Sequence, residues 1–168
     1  MGNFKISTRL YFLVGLALAV FTAAAVYALF DSHAAMVAER KAKLKAMNET
    51  IVTMFQDLHE QEKSGALTTE EAQARALAAV RPMRYEGSGY FSITDMQNIM
   101  LMHPFSADSE NTDMSDFEDA NGKKIFDDFL SVVRSDGQGY VEYYFNKPGS
   151  EDPILKFTHV AGFKPWGW

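Results

Sequence analysis

The side chains in this sequence that could do chemistry are cations and hydroxyls in its second half. They fall in short stretches where polar and apolar residues alternate, so that residues two apart share a face: Arg84, Tyr85, Tyr90, Ser92, His103, Tyr143 and Lys156. Cationic groups donate charge-assisted hydrogen bonds to carboxylates, while apolar walls select the rest of a small ligand. If these side chains converge, they predict a pocket for a small carboxylate. Taken singly, each could instead be a core tyrosine or a solvated cation.

Two of these residues have specific expected roles. Arg84 comes directly before the first predicted strand, and we expect its guanidinium to clamp the carboxylate. His103 ends the second strand, where Pro104 turns the chain, and we expect its imidazole in the pocket. A bound anion would raise the pKa of His103, so affinity should increase as the pH falls. The alternative is a neutral core histidine bonded to a backbone carbonyl.

Signatures of catalysis and of metal binding are weak. His59-Glu60-Gln61-Glu62 lacks the second histidine of a zinc protease, and no Gly-x-Ser-x-Gly nucleophile turn is present. Asp119-Ala120-Asn121-Gly122 resembles the start of a calcium loop, but Lys123 and Leu130 stand where two further ligands are required. The chain has no cysteine, so it has neither disulfides nor thiolate sites. We therefore expect no enzyme, no metal site and no cofactor.

The pocket residues must be positioned by helices and hairpins of an α+β domain. Apolar residues recur at helical spacing in three segments: 31–63, 69–80 and 122–135. Ser64-Gly65 ends the first segment, and a capping box of Thr68 with Glu71 begins the second.

Alternating patterns predict four strands in two hairpins: Gly89–Asp95 with Ile99–His103, and Gly139–Asn146 with Ile154–Gly162. Met96-Gln97-Asn98 and Lys147-Pro148-Gly149 form the turns, and six carboxylates between 106 and 121 indicate an exposed loop. This order predicts an antiparallel sheet with helices on one face. Two tryptophans in the last three residues indicate that a further strand should follow Trp168.

An uncharged run of twenty residues, 11–30, precedes this domain. At about 1.5 Å per residue it matches the roughly 30 Å hydrocarbon core of a bilayer, which predicts one transmembrane helix. A cleaved signal peptide is the alternative, because Ala23-Ala24-Ala25 would suit a peptidase, although such apolar regions usually have about 7–15 residues. Two basic residues precede the run and four follow it, which leaves the orientation open: Lys5, Arg9, Arg40, Lys41, Lys43 and Lys45.

Composition excludes one further class of function. The net charge is −6, and beyond the membrane segment no basic run carries interleaved aromatic residues. Since nucleic-acid binding needs a basic surface, we expect no nucleic-acid partner.

From Arg84 to Trp168 the chain resembles the single Cache domain family, type 2, of bacterial chemoreceptors and sensor kinases. Six pieces carry the resemblance in order: Arg84-Tyr85 with Gly89-Tyr90-Phe91-x-Ile93-x-Asp95, His103-Pro104, Asp119-x-Asn121-Gly122, Tyr143 before Lys147-Pro148-Gly149, Lys156, and Phe163-x-Pro165-Trp166-Gly167-Trp168. Two positions depart from the family pattern. Ser92 stands where an aromatic residue is frequent, and His159 stands where a tyrosine is common after Lys156.

The resemblance implies a PAS-like five-stranded sheet behind a long helix that emerges from the membrane. It also implies a pocket for small organic acids such as acetate, propionate, pyruvate or lactate, a last strand, and a cytoplasmic signalling module. It places the N-terminus in the cytoplasm of a bacterium and the protein in the inner membrane. Residues 1–10 would then be a cytoplasmic tail, 11–30 the transmembrane helix and 31–168 a periplasmic sensor domain.

The leading hypothesis is therefore a chemoreceptor sensor that signals along helix 31–63, through which we also expect a homodimer. A membrane-anchored protein-interaction module is the alternative, and a hydrolase is a weaker one.

Overall fold

The fold is known from a computed structural model that describes residues 6–146 and 153–168, apart from the side chains of Thr8, Arg9 and Asn146. The chain divides into two compact units, Met1–Ala42 and Lys43–Trp168. The basic residue Lys5 and the predicted turn Lys147-Pro148-Gly149 lie outside the described residues.

Helix α1 extends from Ile6 to Lys63 without a break. Its N-terminal part is long and apolar enough to cross a membrane, and none of that apolar stretch is buried by protein. The helix ends where predicted, because Gly65 adopts a positive φ of 77°. That conformation lets the Ala66 N–H reach the Gln61 carbonyl oxygen at 2.9 Å, which satisfies a carbonyl at the end of the helix.

Helix α2, Thr69–Val80, has the predicted capping box. The Glu71 N–H donates to Thr68 Oγ1 at 3.1 Å, and the Thr68 N–H donates to Glu71 Oε2 at 2.9 Å. One face of the helix is buried at Ala72, Ala76 and Val80. Ala76 and Val80 pack in one apolar cluster with Ile51 and Phe55 of α1, so apolar side chains join the two helices.

The described part of the chain has six strands where the sequence predicts four, and those of the first predicted hairpin are shorter than predicted: β1 (Arg84–Tyr85), β2 (Gly89–Tyr90), β3 (Ile93–Thr94), β4 (Met100–Met102), β5 (Gln138–Asn146) and β6 (Pro153–Ala161). They pair as three two-stranded antiparallel sheets, β1–β2, β3–β4 and β5–β6. No ladder among the described residues joins these pairs into the single five-stranded sheet that the resemblance implies. The α+β class and the β3–β4 and β5–β6 hairpins are confirmed.

A tight turn explains why the predicted strand 89–95 is divided. Glu86 and Gly87 have φ values of 45° and 81°, so the chain reverses directly after β1. Arg84 then pairs with Tyr90 and Tyr85 with Gly89, in a hairpin that the alternation pattern did not indicate. A register shift between Ile93 and Thr94 further shortens the ladder of β3 with β4.

Helix α3, Ile125–Asp136, begins three residues later than predicted, because Asp119 organises the preceding loop. Its carboxylate accepts hydrogen bonds from the N–H groups of Asn121 at 2.8 Å, Lys123 at 3.0 Å and Tyr144 at 2.8 Å. Asp119 is buried, so the acidic segment 106–121 is not exposed throughout as the sequence predicts. The loop is instead attached to β5 through this carboxylate, and the Ala120 N–H donates a further hydrogen bond to the Tyr144 carbonyl oxygen at 3.4 Å.

The C-terminal segment packs on α1 through edge-to-face contacts between aromatic rings. Phe55 lies 5.7 Å from Phe163 and 5.5 Å from Trp168, centroid to centroid. Glu62 adds a polar contact, because its carboxylate accepts from Trp166 Nε1 at 2.8 Å, from Thr69 Oγ1 at 2.6 Å and from His59 Nδ1 at 3.0 Å. These hydrogen bonds lower the pKa of Glu62 to about 2.

Thr68→Ala should cost about 1 kcal/mol of unfolding free energy, because the Glu71 N–H at the start of α2 loses its acceptor, the Thr68 hydroxyl. Urea denaturation of the full chain in detergent micelles measures this change. Thr50→Ala is the matched control, since the Thr50 hydroxyl bonds only the Ala46 carbonyl within exposed helix. The control should stay within about 0.5 kcal/mol of the parent chain. Equal losses in both variants would contradict the capping role.

Acid should release Trp166 from Glu62. A carboxyl with a lowered pKa stabilises the fold fully above pH 4.5, and this contribution is lost as the pH falls from 4.5 toward about 2. Both tryptophans lie in this segment, so intrinsic fluorescence reports the change directly. Glu62→Gln should show a smaller emission shift in that pH window than the parent chain. Glu70→Gln, which removes an exposed carboxylate from α2, should behave as the parent does.

Candidate functional site

A cavity of about 180 Å³ lies between the segment Tyr90–Met96, strand β6 and helices α1 and α3. α1 contributes Leu44, Asn48, Ile51, Val52 and Phe55, and α3 contributes Phe126, Phe129, Leu130 and Val133. Most of this wall is apolar or aromatic, and a few polar groups point into it. That composition is typical of small-molecule sites.

The structure brings five of the seven sequence-predicted residues to the cavity wall: Tyr85, Tyr90, Ser92, Tyr143 and Lys156. The pairing of β5 with β6 explains two of them, because Tyr143 is the cross-strand partner of Lys156 and both therefore point to the same face. Thr158 lies two residues further on this face, and its hydroxyl is 3.0 Å from the Tyr143 hydroxyl.

Lys156 supplies the cavity's ammonium group. Its Nζ lies 5.1 Å from the ring centroid of Tyr90, 5.9 Å from that of Tyr143 and 5.5 Å from that of Phe145. Burial lowers the pKa of Lys156. The ion pairs among residues 6–146 and 153–168 include no carboxylate partner for it. Aromatic faces attract a cation, but they do not neutralise its charge.

The cavity tyrosines keep their protons at neutral pH. Burial raises the pKa of Tyr85 and Tyr90, and it raises the pKa of Tyr143 to about 12. A protonated phenol can donate a hydrogen bond, so these hydroxyls can serve a bound acceptor. Gly89 makes room for one of them, because a Cβ at that position would overlap the Tyr85 ring.

Arg84 is not brought to the cavity wall, although the sequence predicts a clamp there. Strand alternation explains this, since Tyr85 faces the cavity and its neighbour Arg84 is exposed. The guanidinium donates to the carbonyl oxygens of Arg81 and Met83, both at 2.7 Å, and it stacks 4.7 Å from the centroid of the Phe105 ring. Some of the N–H donors of this guanidinium are therefore already bonded to backbone carbonyl oxygens.

His103 also lies outside the cavity wall, next to the wall residue Tyr90. Its imidazole meets the Tyr90 ring edge-on at 5.0 Å, and Nδ1 accepts the Phe105 N–H at 3.3 Å. Burial lowers the pKa of His103, which favours the neutral ring. The backbone N–H of His103 donates to Glu110, whose carboxylate forms a two-point pair with Arg81 at 2.7 and 2.9 Å.

Sequence reasoning did not predict two polar residues of the wall, Asn48 and His159. The Asn48 amide nitrogen lies 2.8 Å from the His159 carbonyl oxygen and 3.0 Å from its Nδ1. The sequence does contain a feature that could have identified Asn48, because this polar residue lies between Leu44 and Ile51 on the apolar face of α1. His159 differed from the family pattern, but nothing in the sequence connects it with a residue 111 positions away.

One cation and several hydroxyl donors therefore converge in an apolar cavity. The described residues contain no cluster of acidic and histidine side chains that could hold a metal ion. Chemically, the arrangement is suited to binding an anion.

Three known proteins share this architecture or sequence. The chemotaxis protein McpP of Pseudomonas putida is 30% identical over the whole chain, which spans only 31% of that protein's length. A solved periplasmic sensor domain of a chemotaxis protein is 38% identical with a TM-score of 0.75, and the match covers 79% of this chain and 92% of that one. A Cache chemosensory domain, solved to explain carboxylic acid recognition, is 32% identical with a TM-score of 0.74 over 81% and 92% of the two chains.

Family assignment rests on the same part of the molecule. The match to the family described as single Cache domain 2 extends over residues 36–168, which include every residue of the cavity wall. The chain therefore belongs to the single Cache domain 2 family, and it is a non-catalytic sensor domain of the kind found in chemoreceptors.

Proposed function

We propose that this sensor domain binds a small monocarboxylate through the ammonium group of Lys156. The observation that carries the proposal is the placement of Lys156, which is partly buried, faces the cavity and has no carboxylate partner among the described residues. A desolvated cation without a partner is unfavourable, and a bound anion removes much of that cost.

The remaining wall fits a carboxylate with a short tail. Hydroxyls of Tyr85, Tyr90 and Ser92 can donate to the carboxylate or to an oxygen beside it. Phe126 and Phe129 supply apolar wall for the tail. Lys156 is the only lysine or arginine in the described cavity wall. A single cation favours a ligand with one carboxylate over a dicarboxylate.

Cavity size restricts the ligand further. A volume of about 180 Å³ is well below the roughly 300 Å³ at which drug-sized pockets begin. Acetate, propionate, pyruvate and lactate are acids of suitable size. The Cache chemosensory domain related to carboxylic acid recognition, 32% identical to this chain, supports the same class of ligand.

The proposal extends to the membrane and to signalling. Large apolar side chains are exposed on α1 from Ile6 to Met36, as expected for contact with lipid. We propose that residues 11–30 cross the inner membrane, that residues 31–168 lie in the periplasm, and that a homodimer through α1 passes ligand binding to a cytoplasmic module. The related periplasmic sensor domain supports this location.

Lys156→Met should weaken propionate binding by about ten- to a hundredfold, because a hydrogen bond to a charged partner contributes on the order of 1.5–3 kcal/mol. Isothermal titration calorimetry of the full chain in detergent micelles measures the affinity. Propionamide, a neutral molecule of similar shape, should bind neither the parent chain nor the variant.

Arg84→Met is the matched control for this substitution. It also removes one positive charge from the domain, but from a side chain outside the cavity wall. Its affinity for propionate should stay within about twofold of the parent value. Weakening equal to that of Lys156→Met would assign the anion contact to Arg84, as the sequence pattern suggested, and would contradict the proposed role of Lys156.

A periplasm-dependent reporter should be active when fused after Lys63. α1 would then carry the fusion point across the membrane from a cytoplasmic N-terminus, and a fusion after Leu10 should be inactive. Alkaline phosphatase activity in intact cells measures both. Activity only in the shorter fusion would reverse the proposed topology.

A further inference from the structure

The contact between Asn48 of α1 and His159 of β6 has a geometry that allows only one protonation state. A carbonyl oxygen can only accept, so the short contact to the His159 carbonyl identifies the amide nitrogen as the donor. The second hydrogen of the same nitrogen lies toward His159 Nδ1, 3.0 Å away. Nδ1 must therefore accept, and the imidazole is neutral with its proton on Nε2.

A protonated His159 has no good partner in this position. Its Nδ1 would carry a hydrogen that points at another N–H. Rotation of the Asn48 amide does not repair the contact, because it would place the amide oxygen against the His159 carbonyl oxygen. His159 is only 6% exposed, so water can hardly take over the lost hydrogen bonds.

The groups around the ring do not offset this conflict. On α1, Lys45 disfavours a charged imidazole and Glu49 favours one, and the two side chains pair with each other at 3.6 Å. On β5, the Tyr140 ring lies 4.8 Å away edge-on, and Glu142 shares the same strand face two residues further on. Burial is the largest effect, and it lowers the pKa of His159.

We propose that Asn48 and His159 form a pH-sensitive attachment of α1 to β6, which is made while His159 is neutral and is lost when the ring is protonated. The attachment forms without a bound ligand, although both residues also line the cavity. Its consequence is that acid loosens the helix that leads toward the membrane from the edge of the sensor sheet.

The sign of the pH effect follows from the lowered pKa of His159. The unfolded chain binds a proton near pH 6.5, whereas the folded chain does so only at lower pH, so stability falls as the pH drops below about 6.5. Between the pKa of His159 in the folded chain and its pKa in the unfolded chain, each pH unit changes the equilibrium constant for opening of the α1–β6 contact tenfold.

Hydrogen exchange and histidine NMR test the proposal on the full chain in lipid nanodiscs, without added ligand. The peptide that contains Asn48 and the peptide that contains His159 should both lose protection between pH 7.5 and pH 5, after correction for intrinsic exchange. The His159 ring signal should titrate below about pH 6.5. A midpoint at or above that value, or unchanged protection, would overturn the proposal.

Two variants separate this device from general acid sensitivity. His159→Asn keeps an acceptor two bonds from Cβ and cannot titrate in this range, so it should lose no protection at pH 5. Asn48→Asp places a carboxylate against Nδ1, so it should raise the His159 midpoint and reverse the pH effect. His59→Asn removes a histidine elsewhere on α1 and should behave as the parent does. A parent-like response in either of the first two variants would contradict the proposal.

Discussion

The nine-pair register of β5 with β6 is the constraint on which the rest of the site depends. Antiparallel partners point to the same side of a ladder, so Tyr143 and Lys156 must share one face, while Tyr140 and His159 share the opposite face. The first face packs against α3 and carries the Lys156 ammonium group. The second face carries the His159 imidazole, which contacts Asn48 of α1. A shift of the register by one residue would exchange these roles, because side chains alternate along a strand.

The charged groups of this domain differ in how far hydrogen-bond partners compensate them. Glu62, Glu110 and Asp119 each accept several hydrogen bonds, and each has a lowered pKa as a result. They hold the C-terminal segment, the strand end at His103 and the acidic loop in place. Lys156 differs, since it is partly buried beside aromatic rings and has no carboxylate partner among the described residues. This incompletely compensated charge in the cavity is the feature on which the proposed anion site rests.

Helix α1 connects the apolar N-terminal stretch with the sensor domain because it has no break between Ile6 and Lys63. Within the domain it contacts the cavity, through Asn48 and Ile51, and the C-terminal segment, through Phe55 and Glu62. The helix that lines the cavity is therefore the same helix that carries the apolar N-terminal stretch. The Asn48–His159 contact is a partly buried polar contact between α1 and β6, which is why its protonation state matters.

The sequence by itself determined the local features: the end of α1 at Ser64-Gly65, the capping box of α2, both longer strands to within one residue, and five side chains of the cavity wall. Helical and strand periods, caps and glycine turns are encoded by neighbours a few residues apart, so a pattern is enough to find them. The tertiary structure alone decided that Arg84 and His103 lie outside the cavity and that Asn48 and His159 lie in its wall. These placements depend on the three-residue turn 86–88 and on a contact between residues 111 positions apart, and neither produces a periodic pattern in the sequence.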